Sequence, residues 1–236
     1  MKGYNKLIFI QVSVIVFFTS CSTLEKASTH GFKSGYYKLQ SEQKNAQNVY
    51  LDVTDEKIDV YHERGKQPDK NKFLTISLQP SDSILIAPME FSKNSLDIDI
   101  TAILLKYRPS VDGLEGQLTT DFNVALYTGW RHDNYKINRK TDPLGNSYYK
   151  ISDWGYDFGF LAGPGSTLIS PFTTQNQRTD EYSAMIIQTG IAGFIEASFA
   201  SFGIGIGIDY LMNSDSDVWI YKNKPWLGFI VGIAIN

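Results

Sequence analysis

Residues 202–210 read FGIGIGIDY, and their strict alternation decides the fold class. In an extended chain, side chains point alternately to opposite faces. Phe202, Ile204, Ile206, Ile208 and Tyr210 therefore share one face, and Gly203, Gly205, Gly207 and Asp209 share the other. A large-apolar face opposite a glycine-lined face suits a strand whose outside meets lipid and whose inside meets a crowded lumen. A dry soluble core has little reason to favour glycine there. Residues 226–236 repeat the form, with Leu227, Phe229, Val231, Ile233 and Ile235 alternating with Gly228, Ile230, Gly232, Ala234 and Asn236.

Four earlier segments carry the same period of two. Leu96–Tyr107 sets Leu96, Ile98, Ile100, Ala102 and Leu104 against Asp97, Asp99, Thr101, Ile103 and Leu105. Phe122–Arg131 sets Phe122, Val124, Leu126, Thr128 and Trp130 against Asn123, Ala125, Tyr127, Gly129 and Arg131. Trp154–Gly163 and Met185–Glu196 complete the set. Each runs to roughly ten residues, the length a tilted strand needs to cross a bilayer. Aromatics at the segment ends (Tyr107, Trp130, Trp154, Tyr156, Tyr182, Tyr210, Trp219, Tyr221 and Trp226) suit interfacial girdles. Pro109–Gly116, Asp133–Ser147, Pro171–Glu181 and Asn213–Asp217 read as loops. Ile84–Phe91, together with a strand around Tyr148–Ile151 or Val218–Tyr221, would raise the strand count from six to about eight.

Upstream the texture is shorter and more polar. Gly35–Leu39, Val49–Val53, Ile58–Tyr61 and Phe73–Leu78 read as strands of a small meander, with Thr54-Asp55-Glu56 as a turn and Glu63–Lys72 as a solvated loop. The expectation is all-β: a meander module over 35–83, then a small antiparallel barrel of about eight strands over 84–236. A soluble lipocalin-like barrel or sandwich has the same pattern of strands and stands as the alternative.

Composition narrows the function classes. The formal charge of −3 is spread without a basic stripe, which argues against nucleic acid. One cysteine excludes a disulfide framework and a thiolate metal site. His30, His62 and His132 stand far apart, so neither a histidine-built metal site nor any other cofactor is implied. The slightly negative mean hydropathy agrees with a membrane barrel, whose strands alternate apolar and polar residues.

The first twenty residues carry Lys2 and Lys6, then an apolar run from Leu7 to Phe18, which is the layout of an export signal. Phe18-Thr19-Ser20-Cys21 resembles the lipobox of bacterial lipoproteins, with Phe18 where Leu is usual. That resemblance implies diacylation of Cys21, with 21–34 as a lipidated tether. KYRPSVDGLEGQLTTDFNVALYTGWR (106–131) and KPWLGFIVGIAIN (224–236) resemble exported β-barrel-type proteins of Bacteroidota, in which outer-membrane lipoproteins are common. The expected protein is a non-enzymatic outer-membrane lipoprotein, a structural or accessory subunit of an envelope complex. It would contact membrane lipid through Cys21 and the barrel exterior, and protein partners in the outer membrane. A barrel enzyme acting on lipids, of the acyl transferase or lipid A deacylase type, is the alternative, and a small-solute channel the third.

No reaction is spelled out by the residues. His132-Asp133 with Ser166 or Ser183 would be the material for a Ser/His/acid group, but neighbours on a strand face opposite ways, so Asp133 is badly placed to orient His132. Gly163-Pro164-Gly165-Ser166 lacks the lysine of a phosphate loop and reads as a strand-ending turn. Asp52, Asp55, Glu56 and Asp59 do not match a calcium loop. Asp97, Asp99, Asp157, Glu196 and Asp209 should point into the lumen against Arg131 and Arg108, where charges pair and plug a narrow barrel. Arg131, His132, Lys136, Arg139 and Lys140 are the expected contacts for a partner or lipid headgroups, by charge.

Overall fold

A computed structural model of the chain describes residues 31–41, 44–78, 88–197 and 200–234. The signal, Cys21, most of the 21–34 tether and residues 84–87 lie outside the described residues. Among the described residues, eleven strands form one antiparallel sheet. They are β1 (Gly35–Ser41), β2 (Lys44–Val53), β3 (Lys57–Arg64), β4 (Gln67–Ser77), β5 (Met89–Arg108), β6 (Gln117–Thr119), β7 (Val124–Thr141), β8 (Ser147–Ile169), β9 (Tyr182–Ala197), β10 (Ala200–Leu211) and β11 (Pro225–Ala234).

The ladder β5-β7-β8-β9-β10-β11 returns on itself, because β11 also pairs with β5 from Leu227–Tyr107 to Ala234–Asp99. The result is an all-β fold built on a barrel of six strands, where the sequence suggested about eight. The candidate strands at 148–151 and 89–91 are continuous with β8 and β5, and Val218–Tyr221 lies in the loop that follows β10. A ring this narrow has little room inside. The inner face of β10 supplies that room: Gly203 lies under the Phe194 ring, Gly205 under Ile230, and Gly207 under Trp226.

Strands β5, β7 and β8 run to 20, 18 and 23 residues, so half of each extends beyond the barrel. There β5 takes β1 at its edge, and β2, β3 and β4 follow as hairpins. The meander and the three extensions share one core, in which Leu39, Val49, Leu51, Ile58 and Val60 meet Phe91, Tyr135, Ile137 and Ile151. Phe32 enters this core and stacks on Tyr135 at 4.3 Å.

Three expected loops are strand instead. Glu63–Lys72 is the end of β3, a two-residue turn and the start of β4; Gly65 and Lys66 both have positive φ, as a tight hairpin turn of the primed kind requires. Of Asp133–Ser147, residues 133–141 continue β7, because Tyr135 and Ile137 keep the period of two beneath polar neighbours. Only Asp142–Asn146 turns, with Asp142 Oδ1 accepting from the amides of Leu144 and Asn146. Gly163-Pro164-Gly165-Ser166 lies inside β8, where Gly163 packs against the backbone of Val124 too closely for a side chain.

Outward positions of all six barrel strands are mostly apolar, with Thr128 and Thr189 among the exceptions. Leu96, Trp130, Phe158, Ile195 and Ile204 are 53–71 % exposed, while Asp97, Asp157, Gln188 and Asp209, on the inner face, are buried. From Phe202 on β10 to Met212 just past its end, the outward row covers about 33 Å along the chain, or ~25 Å of height at a tilt near 40°.

Candidate functional site

The lumen is the most chemically distinctive part of the molecule, and a bulge builds it. Opposite Phe229/Ile230 of β11, β5 carries one extra residue, so Leu104 and Leu105 both face outward. The bulge reverses the parity of β5 and turns Lys106 and Arg108 into the lumen. Strict alternation had put Leu105 on the inner face; the observed register corrects this. Without the shift two cations would lie on the outer face.

Lys106 Nζ donates to Asn123 Oδ1 (3.1 Å), Gln188 Oε1 (2.9 Å) and Asp209 Oδ1 (3.1 Å). Arg108 donates to Asp209 Oδ2 from Nη1 (2.9 Å) and Nη2 (2.6 Å). Gln188 Nε2 in turn donates to the carbonyls of Val124 and Pro164. The Lys106 ammonium lies 4.7 Å from the Trp226 ring centroid, and the Arg108 guanidinium lies 5.5 Å and 5.2 Å from those of Trp219 and Tyr221. All these side chains are buried. Low dielectric strengthens such pairs, provided the hydrogen-bonding capacity of each is met.

Trp219, Tyr221 and Trp226, expected in an outer aromatic girdle, therefore close the barrel from within. Trp226 occupies an inward position of β11, and the segment before it folds over the mouth, with the Ile220 amide donating to the Thr173 carbonyl (3.0 Å). At the same end Arg178 holds Asp215 through bonds of 2.6–2.9 Å, and the Tyr182 hydroxyl donates to that carboxylate. The Arg178 guanidinium, helped by the Tyr182 hydroxyl, keeps Asp215 below the usual carboxylate range. Trp130, Trp154, Tyr156, Tyr107 and Tyr210 do face outward.

Below the ammonium cluster lies an apolar layer of Ile103, Ala125, Leu161, Phe194 and Ile230. Beneath it is an acidic cluster. Arg131 donates from Nε to Asp133 Oδ1 (2.8 Å) and approaches Glu196 at 3.3 Å and Asp97 at 4.0 Å. The Tyr127 hydroxyl donates to Asp157, and Ser201 Oγ donates to Glu196 Oε2 (2.5 Å). Among the described residues, Asp97, Asp157 and Glu196 bring one carboxylate oxygen each within 4.8 Å of one another. Three carboxylates are a donor set that hard divalent cations accept; here Tyr127, Arg131 and Ser201 already engage them. At the upper end Lys106 and Arg108 share Asp209, and at the lower end Arg131 reaches Asp133, Glu196 and Asp97.

The residues expected to meet a partner or headgroups separate. Arg131 points into the lumen, and Lys136 reaches Glu90 at 3.2 Å. Arg139 donates to Ser147 Oγ (2.8 and 3.1 Å), and Lys140 is exposed near the end of β7. His132 lies on the outer face, with Nδ1 2.5 Å from Asn94 Oδ1 and its ring beside Tyr156. No Ser/His/acid group forms from the residues named for it. Asp133 faces away from His132 toward Arg131, and Ser166 is ten positions along β8 from Tyr156, the partner of His132. In the meander, Asp59 is met by Lys57 (2.7 Å), Lys72 (3.1 Å) and Thr75 (2.6 Å), and Asp52 accepts from Ser34 Oγ.

Lys106, Asn123, Gln188 and Tyr127 were not singled out from the sequence. The consecutive Leu104-Leu105 inside an alternating strand is the signal that announces the first of them. Protein-family models, curated proteins and solved structures show no match to this chain.

Proposed function

We propose that this protein is an outer-membrane β-barrel that fills its own lumen and serves, without catalysis, as a structural or accessory subunit of the cell envelope. One observation carries the reading: the outer face of all six barrel strands is predominantly apolar while the charges face inward, the inverse of a water-soluble protein. The ~25 Å outer band matches the height such barrels bury in a bilayer. The paired charges inside favour a plug over a small-solute channel, and the dispersed histidine and serines favour a non-enzymatic role over lipid chemistry.

The orientation follows from the connections. At the meander end, β9 stops at Ala197 and β10 begins at Ala200, whereas the opposite end carries connections over 109–123, 170–181 and 212–224. Barrels of this class have short periplasmic turns and longer extracellular loops. The meander sheet then projects into the periplasm, where it would meet envelope partners, and acylated Cys21 would hold the chain a second time.

Fractionation of Cys21→Ala tests the reading. A barrel held by its own strands stays in the membrane fraction without the lipid and shows a heat-modifiable gel shift. Recovery of the variant in the soluble fraction, with no shift, would mean a soluble domain held only by Cys21.

A further inference from the structure

Just below the apolar band, on the periplasmic side in the proposed orientation, the outer face opens into a groove of about 280 Å³. Its polar lining is Lys38, Asn48, Ser92, Lys93, Asn94 and His132, with Glu63 as the only acid. The groove exists because β5 changes partners. Along one edge β5 pairs with β1 at Glu90–Ser92 and with β11 from Asp99 upward, and among the described residues 93–98 have no ladder partner on that edge. The ends of β1 and β11 leave a notch there, and the groove lies against it.

Its depth is set by the strands. Asn94 and His132 stand one alternate position below the lipid-facing Leu96 and Trp130, about 7 Å along the strand. Tyr156, paired with His132, stands at this level on β8, with Trp130 one alternate position above and Trp154 one below. With the apolar band in hydrocarbon, this level is that of the headgroups.

The charge here is unspent. Among the described residues neither Lys38 nor Lys93 pairs with a carboxylate, and the nearby acids are taken, Asp133 by Arg131 and Glu90 by Lys136. Lys93 rests against the Tyr37 ring, 5.6 Å from its centroid. Two lysines outweigh one glutamate, and Ser92, Asn48, Asn94 and His132 add neutral hydrogen-bonding groups.

Resting on the membrane-spanning reading, we infer that this groove holds the headgroup of one anionic glycerophospholipid. Lys38 and Lys93 meet the phosphate, Ser92, Asn48 and Asn94 meet the glycerol hydroxyls, and the acyl chains rise along Leu96 and Ile98. A zwitterionic choline headgroup is disfavoured, because it brings a third cation to two lysines.

The full chain, inserted into phosphatidylcholine vesicles containing a minor share of phosphatidylglycerol and then gently extracted, should retain one phosphatidylglycerol in native mass spectra. Lys38→Gln/Lys93→Gln should lose that preference by roughly thirtyfold, since each lysine near an anionic lipid contributes about 1 kcal/mol. The variant should still insert and keep the gel shift, and millimolar inorganic phosphate should not displace the lipid. Wild-type retention of the two lipids in proportion to the vesicles overturns the inference whether or not the variant folds, as does an unaltered preference in an inserted double variant. Displacement by inorganic phosphate would make this a free-phosphate site and equally overturn it. In those three results the membrane-spanning reading survives; failure of the wild-type chain to insert overturns both.

Discussion

Asp209 is the residue on which the closed end of the lumen depends. Lys106 and Arg108 both bond to it, and all three side chains are at most 3 % exposed. Replacing one partner of a buried pair is far costlier than the net worth of the pair, because the remaining charge is left unmatched. Asp209→Asn strands two cations and should cost about 3–5 kcal/mol. Lys106→Met removes one cation and leaves the two-pronged Arg108–Asp209 bond intact. It leaves Gln188 Oε1, Asn123 Oδ1 and Asp209 Oδ1 short of a donor, a loss of about 1–3 kcal/mol. Urea unfolding in lipid vesicles, followed by loss of the heat-modifiable form, checks the ranking. Equal costs would mean that the charges contribute little beyond packing.

At the scale of single strands, the glycines of β10 set the bore of the barrel. A Cβ at Gly207 would lie 2.4 Å from both the Thr189 carbonyl oxygen and Trp226 Cζ2. Backbone cannot step aside as a side-chain tip can, so Gly207→Ala should cost about 1–3 kcal/mol. Gly193, on the outer face of β9, has its nearest such neighbour at 3.5 Å, and Gly193→Ala should change stability by less than about 0.5 kcal/mol. Shifts in the denaturation midpoint of the two variants test the contrast. The FGIGIGIDY pattern made this strand legible in the sequence, because period and residue size point the same way. The β5 bulge was hidden, since two adjacent leucines break alternation without saying which of them is extra. The Lys106–Asp209 bond joins residues 103 positions apart and has no local signature. The solvent-facing halves of β7 and β8 were hidden as well: HDNYKINRK looks like a loop because Tyr135 and Ile137 are the only large apolar residues that betray its inner face.

The whole molecule has two environments threaded by the same three strands. Above, β5, β7 and β8 enclose a charged lumen and face outward with apolar side chains; below, the same strands cover an apolar core and face outward with polar ones. Inside and outside exchange character along a continuous backbone, and the exchange falls between Trp130 and Tyr135 on β7. This arrangement ties the meander to the barrel mechanically, yet each part has its own packing. Local opening follows packing units, so the two parts should open separately. Ile151, fully buried on the β8 extension, belongs to the lower core. Ile151→Ala should destabilise that core by about 2–5 kcal/mol. Hydrogen exchange should then rise across 35–77, 89–92 and 135–151 while 156–168, 184–196 and 201–210 keep their protection. The barrel amides are closed into a ring by β11–β5 pairing, which needs nothing from the meander. A uniform rise over both regions would instead mean that sheet and barrel melt as one unit, and that the meander cannot yield to a periplasmic partner without opening the membrane-spanning strands.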